Sequence, residues 1–280
     1  MRSTRTVHHT LHRAARRVLG SVLVVASLFT VPLGAFAAPE SPRPVALITG
    51  SSSGLGAELA RIAAERDMRL VLVDKDPGPS EAFAEGFRAS GGEAEVFVVD
   101  LSDAAAREGL VARTLAAFGR LDYLFNNAGY SYLATTEQMD LEAAHQLFEV
   151  NYWAYADLVA QAIPAMREQG GGTIVNVASI LGVRPAPPGL GHYAATKHAL
   201  LGLLQTTAQE VRDDNIRVFV AAPAGMATNI GRNAVGPLAD LPGARSRADD
   251  WEDPAIPAAD IFRQIEEDEV VIYPGYIGRE

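Results

Sequence analysis

Two residues have the types and spacing that proton transfer needs. Tyr193 and Lys197 are four positions apart in Tyr193-Ala194-Ala195-Thr196-Lys197. On a helix such a pair shares a face. A phenol of ordinary pKa is a poor base at neutral pH, and an ammonium beside it stabilises the phenolate. A tyrosine tuned in this way can take the proton of an alcohol or return one to a carbonyl. Exposed helices often carry this pair to no such purpose, so the chemistry depends on what surrounds it.

A short apolar run ends in Thr49-Gly50-Ser51-Ser52-Ser53-Gly54-Leu55-Gly56. This is a glycine-rich turn that opens a helix. Its glycines let the backbone approach a pyrophosphate, and the helix N-terminus offers free N–H groups and a favourable dipole. The candidate contacts are Gly50, Ser52, Ser53, Gly54, Leu55 and Gly56. Asp74 ends the next apolar run. A carboxylate there accepts hydrogen bonds from the adenosine ribose and repels a 2′-phosphate, which selects NAD over NADP. Lys75 beside it softens the choice. Asp100-Leu101 and Asn126-Asn127-Ala128-Gly129 close the following runs. Asp100 is placed for an adenine amino group, and Asn127, Ala128 and Gly129 for a cofactor lying against a strand end. Ser179 ends a further run.

These residues need elements to position them. The apolar runs 45–48, 70–73, 94–99, 121–125, 173–178, 216–221 and 270–273 read as strands. Helical patterns separate them at 54–66, 80–90, 103–118, 140–168, 192–212 and 257–266. Strands with so few polar residues are covered on both faces. The chain is therefore α/β, with a doubly wound parallel sheet of the Rossmann-like kind. It forms a three-layer α/β/α single domain over 38–280, whose ligands bind at the C-terminal strand ends. The stretch 226–256 is rich in Gly, Pro, Asp and Ala and reads as a substrate lid.

The ordered set TGSSSGLG, NNAG, Asn151, Ser179 and YAATK resembles the short-chain dehydrogenase/reductase family, in its single-domain branch, over residues 44 to about 230. That resemblance implies an NAD(P)-dependent oxidoreductase that interconverts a secondary alcohol and a ketone. By the same resemblance Tyr193 is the general acid and base, and Lys197 lowers its pKa and holds the nicotinamide ribose. Ser179 orients the substrate oxygen, and Asn151 helps hold a relay water. Pro223 and Thr228 match the family's cofactor contact, although Ala224 replaces the usual glycine. A dimer or tetramer packed through the helices at 140–168 and 192–212 is implied as well. The alternative from another class is a non-catalytic dinucleotide-binding redox sensor or partner protein. The complete set of Asn151, Ser179, Tyr193 and Lys197 favours the enzyme, which would act on a small, apolar alcohol or carbonyl substrate.

Other features carry less. Tyr130, Tyr132, Leu181, Val183 and Met226 follow strand ends and either line an apolar pocket or pack under the lid. His192 adjoins Tyr193 but does not share its face. The histidines show no metal spacing, and Glu266-Glu267-Asp268-Glu269 reads as a solvated helix end. The sequence has no cysteine, which removes disulfides and thiolate chemistry.

Charge separates the N-terminus from the rest. The net charge is −10, and Arg2, Arg5, Arg13, Arg16 and Arg17 hold +5 of it, leaving −15 on the body. An acidic body argues against nucleic acid. Residues 1–37 combine a basic start, an apolar stretch from Val18 and the small-x-small site Ala35-Phe36-Ala37. This is the layout of a cleaved export signal, and Arg16-Arg17 partly matches a twin-arginine signal. Two other readings stand: a membrane anchor, or a start site downstream that leaves a cytoplasmic protein.

Overall fold

Alternate residues of a strand point to opposite sides of a sheet, and here each side has its own core. The computed structural model describes residues 42–241, 251–267 and the backbone of 271–272. Among these residues the strands are β1 (Val45–Thr49), β2 (Arg69–Asp74), β3 (Ala94–Val98), β4 (Tyr123–Asn126), β5 (Gly172–Val177), β6 (Ile216–Ala221) and β7 (Val271–Ile272). They form one parallel sheet in the order β3-β2-β1-β4-β5-β6-β7.

The helices are α1 (Gly54–Glu65), α2 (Gly78–Ala89), α3 (Ala104–Arg107), α4 (Leu110–Phe118), α5 (Leu141–Phe148), α6 (Ala154–Glu168), α7 (Gly191–Glu210), α8 (Asn229–Arg232) and α9 (Ala255–Gln264). Val45, Leu47, Val71, Val73 and Ile174 pack on one face with Leu110 of α4, Leu158 of α6 and Leu200 of α7. Ala46, Ile48, Leu70, Phe125 and Phe219 pack on the other with Leu59 of α1 and Phe262 of α9. Each large side chain buried this way contributes about 1.5–3 kcal/mol. The α/β/α layering and the parallel sheet agree with the sequence.

Two helices expected to be continuous are interrupted. The stretch 103–118 breaks between α3 and α4, where Gly109 takes the left-handed conformation at φ +71. The stretch 140–168 contains a π-helical turn, Glu149–Trp153, in which the Ala154 N–H reaches back to the Glu149 carbonyl. The wide turn re-aims one side chain: Asn151 is fully buried, while Trp153 beside it is half exposed. Such π-turns are frequent at functional sites.

The leader 1–37, residues 242–250 of the lid region, Asp268-Glu269 and Tyr273-Pro274 lie outside the described residues. Among the described residues, no helix is long and apolar enough to cross a membrane.

Candidate active site

Strand order reverses between β1 and β4, which is where ligands of open parallel sheets bind. β1 ends at Thr49. Its hydroxyl accepts hydrogen bonds from the backbone N–H of Asn127 (2.9 Å) and of Ala128 (3.1 Å). The Asn127 amide donates back to the carbonyls of Thr49 (2.9 Å) and Gly50 (3.3 Å). The Asn127 side chain, expected at the cofactor, thus staples the glycine turn to the end of β4.

The turn leads into α1 through Ser53, which is extended and does not cap the helix with its side chain, and no acid lies in the first turn. First-turn N–H groups that no side chain caps suit an anion. Gly54 sits at φ +54, a conformation that favours glycine. Leu55 and Gly56 are buried in α1. The Ser52 hydroxyl is held by the Asp76 carbonyl at 2.6 Å and by Ser80 at 2.9 Å.

Asp74, at the end of β2, accepts from the Ser52 N–H (3.0 Å) and the Asp76 N–H (3.1 Å). Both bonds fix its carboxylate beside the turn. Asp100 accepts from the N–H and the hydroxyl of Ser102, and these bonds hold its pKa below the ordinary carboxylate value. Leu101 next to it belongs to the core.

α7 carries Tyr193 and Lys197 on one buried face. Lys197 Nζ donates to the Val177 carbonyl at 2.9 Å and lies 5.8 Å from the centre of the Tyr193 ring. Ser179 follows β5 and caps a short 3-10 turn: the Leu181 N–H donates to its hydroxyl at 3.1 Å. Asn151 reaches this place from the π-turn. Its carbonyl oxygen accepts from the Tyr130 N–H (3.1 Å), and its amide donates to the Tyr130 carbonyl (2.9 Å) and to Thr196 (3.4 Å). The Asn151 side chain is therefore engaged in holding the loop after β4.

Burial dominates the electrostatics. It pushes the Tyr193 phenol up to about 12, against the pull of a hydrogen bond with Ser179. It brings the Lys197 ammonium down to about 7. The upward shift comes from the burial of the Tyr193 phenol itself, while Lys197 is bonded to the Val177 carbonyl.

Pro223 follows β6, and its carbonyl accepts from the Ile180 N–H at 2.8 Å. Thr228 caps α8, and its side chain packs against Gly54. It therefore sits over the start of α1. The region beyond is tied down at several points. The Ala227 N–H donates to the Glu252 carbonyl at 2.8 Å, the Leu133 N–H to Val235 at 2.8 Å, and the Leu238 N–H to Leu133 at 3.0 Å. Tyr132 is buried and its hydroxyl accepts from the Asp140 N–H, so it packs under this segment and does not line a pocket. Tyr130, Leu181, Val183 and Met226 are only partly buried. His192 packs its ring against Tyr132, 5.9 Å between centres.

A dinucleotide fits these residues. The helix start lacks a side-chain cap, Asp74 is held at the adjoining strand end, and Gly129 leaves open the space beside Lys197, where a Cβ would stand 3.7 Å from Nζ. Among the described residues, no three His, Asp or Glu side chains cluster to hold a metal.

Sequence reasoning overlooked Thr49, Tyr155 and Arg107. Tyr155 had a legible signal, since it follows Asn151 at helical spacing. Arg107 had none, because its partners Glu149 and Asp157 are distant in sequence.

Comparison with known proteins bears on this arrangement. The family model described as short chain dehydrogenase matches residues 44–236. The chain is 35% identical over 189 residues to 2,5-dichloro-2,5-cyclohexadiene-1,4-diol dehydrogenase of Sphingobium indicum, covering 68% of this chain and 75% of that protein. A short chain dehydrogenase/reductase from Burkholderia phymatum in complex with NAD superposes with a TM-score of 0.76 at 29% identity, over 83% of this chain and 89% of that one. A short-chain dehydrogenase from Sphingobium yanoikuyae in complex with NADPH superposes at 0.74 and 30% identity, over 84% and 89% of the two chains.

Proposed function

The chain belongs to the short-chain dehydrogenase family and is an NAD(P)-dependent oxidoreductase acting on CH–OH groups; on that premise we propose that Tyr193 is its general acid and base and that NAD is its preferred cofactor. The observation that carries the reading is the convergence of Tyr193, Ser179 and Lys197 at the end of β5, beside the glycine turn. A bound oxidised nicotinamide supplies the hydride acceptor and a positive charge.

The chain's own residues then handle the proton. Ser179, oriented by the Leu181 N–H, donates to the substrate oxygen. Tyr193 as phenolate takes the hydroxyl proton, and as phenol returns it in the reverse direction. Lys197 in its charged form stabilises the phenolate. Asn151 holds the loop that carries Gly129 and Tyr130 and so keeps the path to Lys197 open. Asp74 favours NAD, because its fixed carboxylate repels a 2′-phosphate. Gly50, Ser52, Ser53, Gly54, Asp100, Ala128, Gly129, Pro223 and Thr228 line the cofactor path, and Leu55, Gly56, Leu101 and Asn127 support it from behind.

The relative's ring diol supports a cyclic secondary alcohol as substrate class. The region 226–256 is the candidate lid, and within it Val235 and Leu238 bond to the 131–134 loop. The exposed Leu141 and Trp153 support a dimer or tetramer packed through the helices at 140–168 and 192–212. The basic and apolar leader supports export of the protein through a cleaved signal.

The test is NADH formation with a panel of cyclic secondary alcohols, in the native protein and in Tyr193→Phe. We expect the substitution to lower kcat by about a thousandfold and to leave NADH binding, read by fluorescence, intact. Binding without turnover of any alcohol, unchanged by the substitution, would instead mark a sensor. N-terminal sequencing of cell-derived protein tests the leader: an intact Met1 on the folded protein overturns cleavage.

A further inference from the structure

The site contains a buried tyrosine that the proton-transfer scheme does not use. Tyr155 lies in the first turn of α6, one helical turn after Asn151. It is 1% exposed. Its hydroxyl donates to the Ala128 carbonyl at 2.9 Å, and the Val177 carbonyl is 3.3 Å away. Ala128 belongs to the loop after β4, and Val177 ends β5 just before Ser179. One hydroxyl therefore spans the two strand ends that flank the site. The ring does something else. Lys197 Nζ lies 5.1 Å from its centre, closer than to the Tyr193 ring. A cation at that distance from an aromatic face is attracted by the ring quadrupole.

We propose that Tyr155 is a positioning residue of this site: its ring holds the Lys197 ammonium, and its hydroxyl ties the loop after β4 to the end of β5. The proposal rests on the proton-transfer reading of Tyr193 and Lys197. The geometry leaves Lys197 few other sources of stabilisation. From α7 it faces the Tyr193 phenol, from α6 the Tyr155 ring, from β5 the Val177 carbonyl, and from the loop after β4 the backbone of Gly129. The neutral Asn151 lies beyond Gly129 on the π-turn. Burial is the cause of the lysine's lowered pKa, and no carboxylate among the described residues contributes to it. A buried ammonium with one hydrogen bond and no counter-ion among the described residues depends on polarisable neighbours to remain charged. Tyr155 itself keeps its proton, because burial raises its pKa well above the ordinary value.

The sequence makes the test direct, since its only lysines are the exposed Lys75 and the buried Lys197. Protein labelled at the lysine Cε carbon gives two side-chain NMR signals, and the one absent from Lys197→Arg is assigned. Its titration is followed in the cofactor-free protein, so the result does not depend on turnover. We expect a midpoint near 7 in the native protein. Tyr155→Phe, which keeps the ring, moves it by no more than a few tenths of a unit. Tyr155→Leu lowers it by about one pH unit.

Should the leucine variant fail to fold, phenylalanines of increasing ring fluorination at position 155 carry the test. They keep the shape and weaken the quadrupole, and the Lys197 midpoint should fall stepwise. A midpoint constant across the fluorinated series overturns the role of the ring. The hydroxyl is read separately: Tyr155→Phe should weaken NADH binding by about three- to tenfold, the loss of one hydrogen bond, and an unchanged dissociation constant overturns that half. A shifted Lys197 midpoint in a protein that oxidises no alcohol would sink the proton-transfer reading and leave the contact standing.

Discussion

Lys197 directs its ammonium to the Val177 carbonyl, 2.9 Å away, while the Tyr193 ring centre is 5.8 Å distant. The pair shares a buried face, and the lysine is anchored to the sheet. Its folded pKa near 7 is below the ordinary 10.5. Between those two values the unfolded chain binds the proton and the folded one does not, so stability rises with pH across that window. Below about 7 both states are charged and the full desolvation cost applies. We expect cofactor-free protein to gain up to a few kcal/mol between pH 7 and 10, at a slope no steeper than about 1.4 kcal/mol per unit. Urea unfolding at a series of pH values measures this. Lys197→Met should flatten the rise, and a variant with the same slope as the native protein would assign it to other groups.

The strands and the motif residues were legible because both are local. Runs such as Leu70-Val71-Leu72-Val73 are apolar at every position, as strands covered on both faces must be. What escaped detection depends on contacts between distant residues. The apolar spacing through 141–168 is regular, and nothing local announces that the backbone will widen at Glu149–Trp153. That turn brings the Asn151 amide to the Tyr130 backbone, twenty-one residues away. The break at Gly109 could be read only as one glycine in a helical pattern. The Asn127 side chain serves the glycine turn, a role visible only once Thr49 and Gly50 lie beside it.

Asp74 tests the cofactor preference. Its carboxylate holds the Ser52 and Asp76 N–H groups beside the glycine turn, and the proposed NAD preference rests on its charge. Asp74→Asn keeps one acceptor oxygen and removes the charge. The ratio of kcat/KM for NAD over NADP should fall about tenfold or more, with a change in stability under about 1 kcal/mol. Asp74→Ala should lose the same preference and destabilise the turn by an additional ~1–2 kcal/mol, because two N–H groups lose their partner. An unchanged cofactor ratio in both variants would remove Asp74 from the specificity argument.

Arg107 tests the frame behind the site. Its side chain is 4% exposed and bonds the Leu101 carbonyl, Glu149 and Asp157. It thereby couples the loop bearing Asp100 to the π-turn bearing Asn151. The two acids are each more than a third exposed, so solvent screens them once the arginine is gone. The main cost of Arg107→Met is the Leu101 carbonyl left without its partner and the lost tie. We expect about 2–3 kcal/mol less stability by urea unfolding. A loss below about 0.5 kcal/mol would show that the network is decorative.

Gly129 tests the path to the lysine. Its backbone takes no left-handed conformation, so alanine is not excluded by strain. A Cβ there would stand 3.1 Å from the Asn151 oxygen and 3.7 Å from Lys197 Nζ. The first distance asks Asn151 to give by a few tenths of an ångström, and its bonds to the Tyr130 backbone resist that. The second places a methyl group beside the ammonium, on the route proposed for the cofactor's ribose. Gly129→Ala should therefore cost about 1–2 kcal/mol of stability and weaken NADH binding by at least about tenfold, seen by fluorescence titration. Leaving Lys197 chemically intact, it should also leave that lysine's NMR midpoint close to 7. Native NADH affinity in this variant would mean that the cofactor approaches Lys197 from a side the alanine does not touch, and the route along the loop after β4 would be wrong.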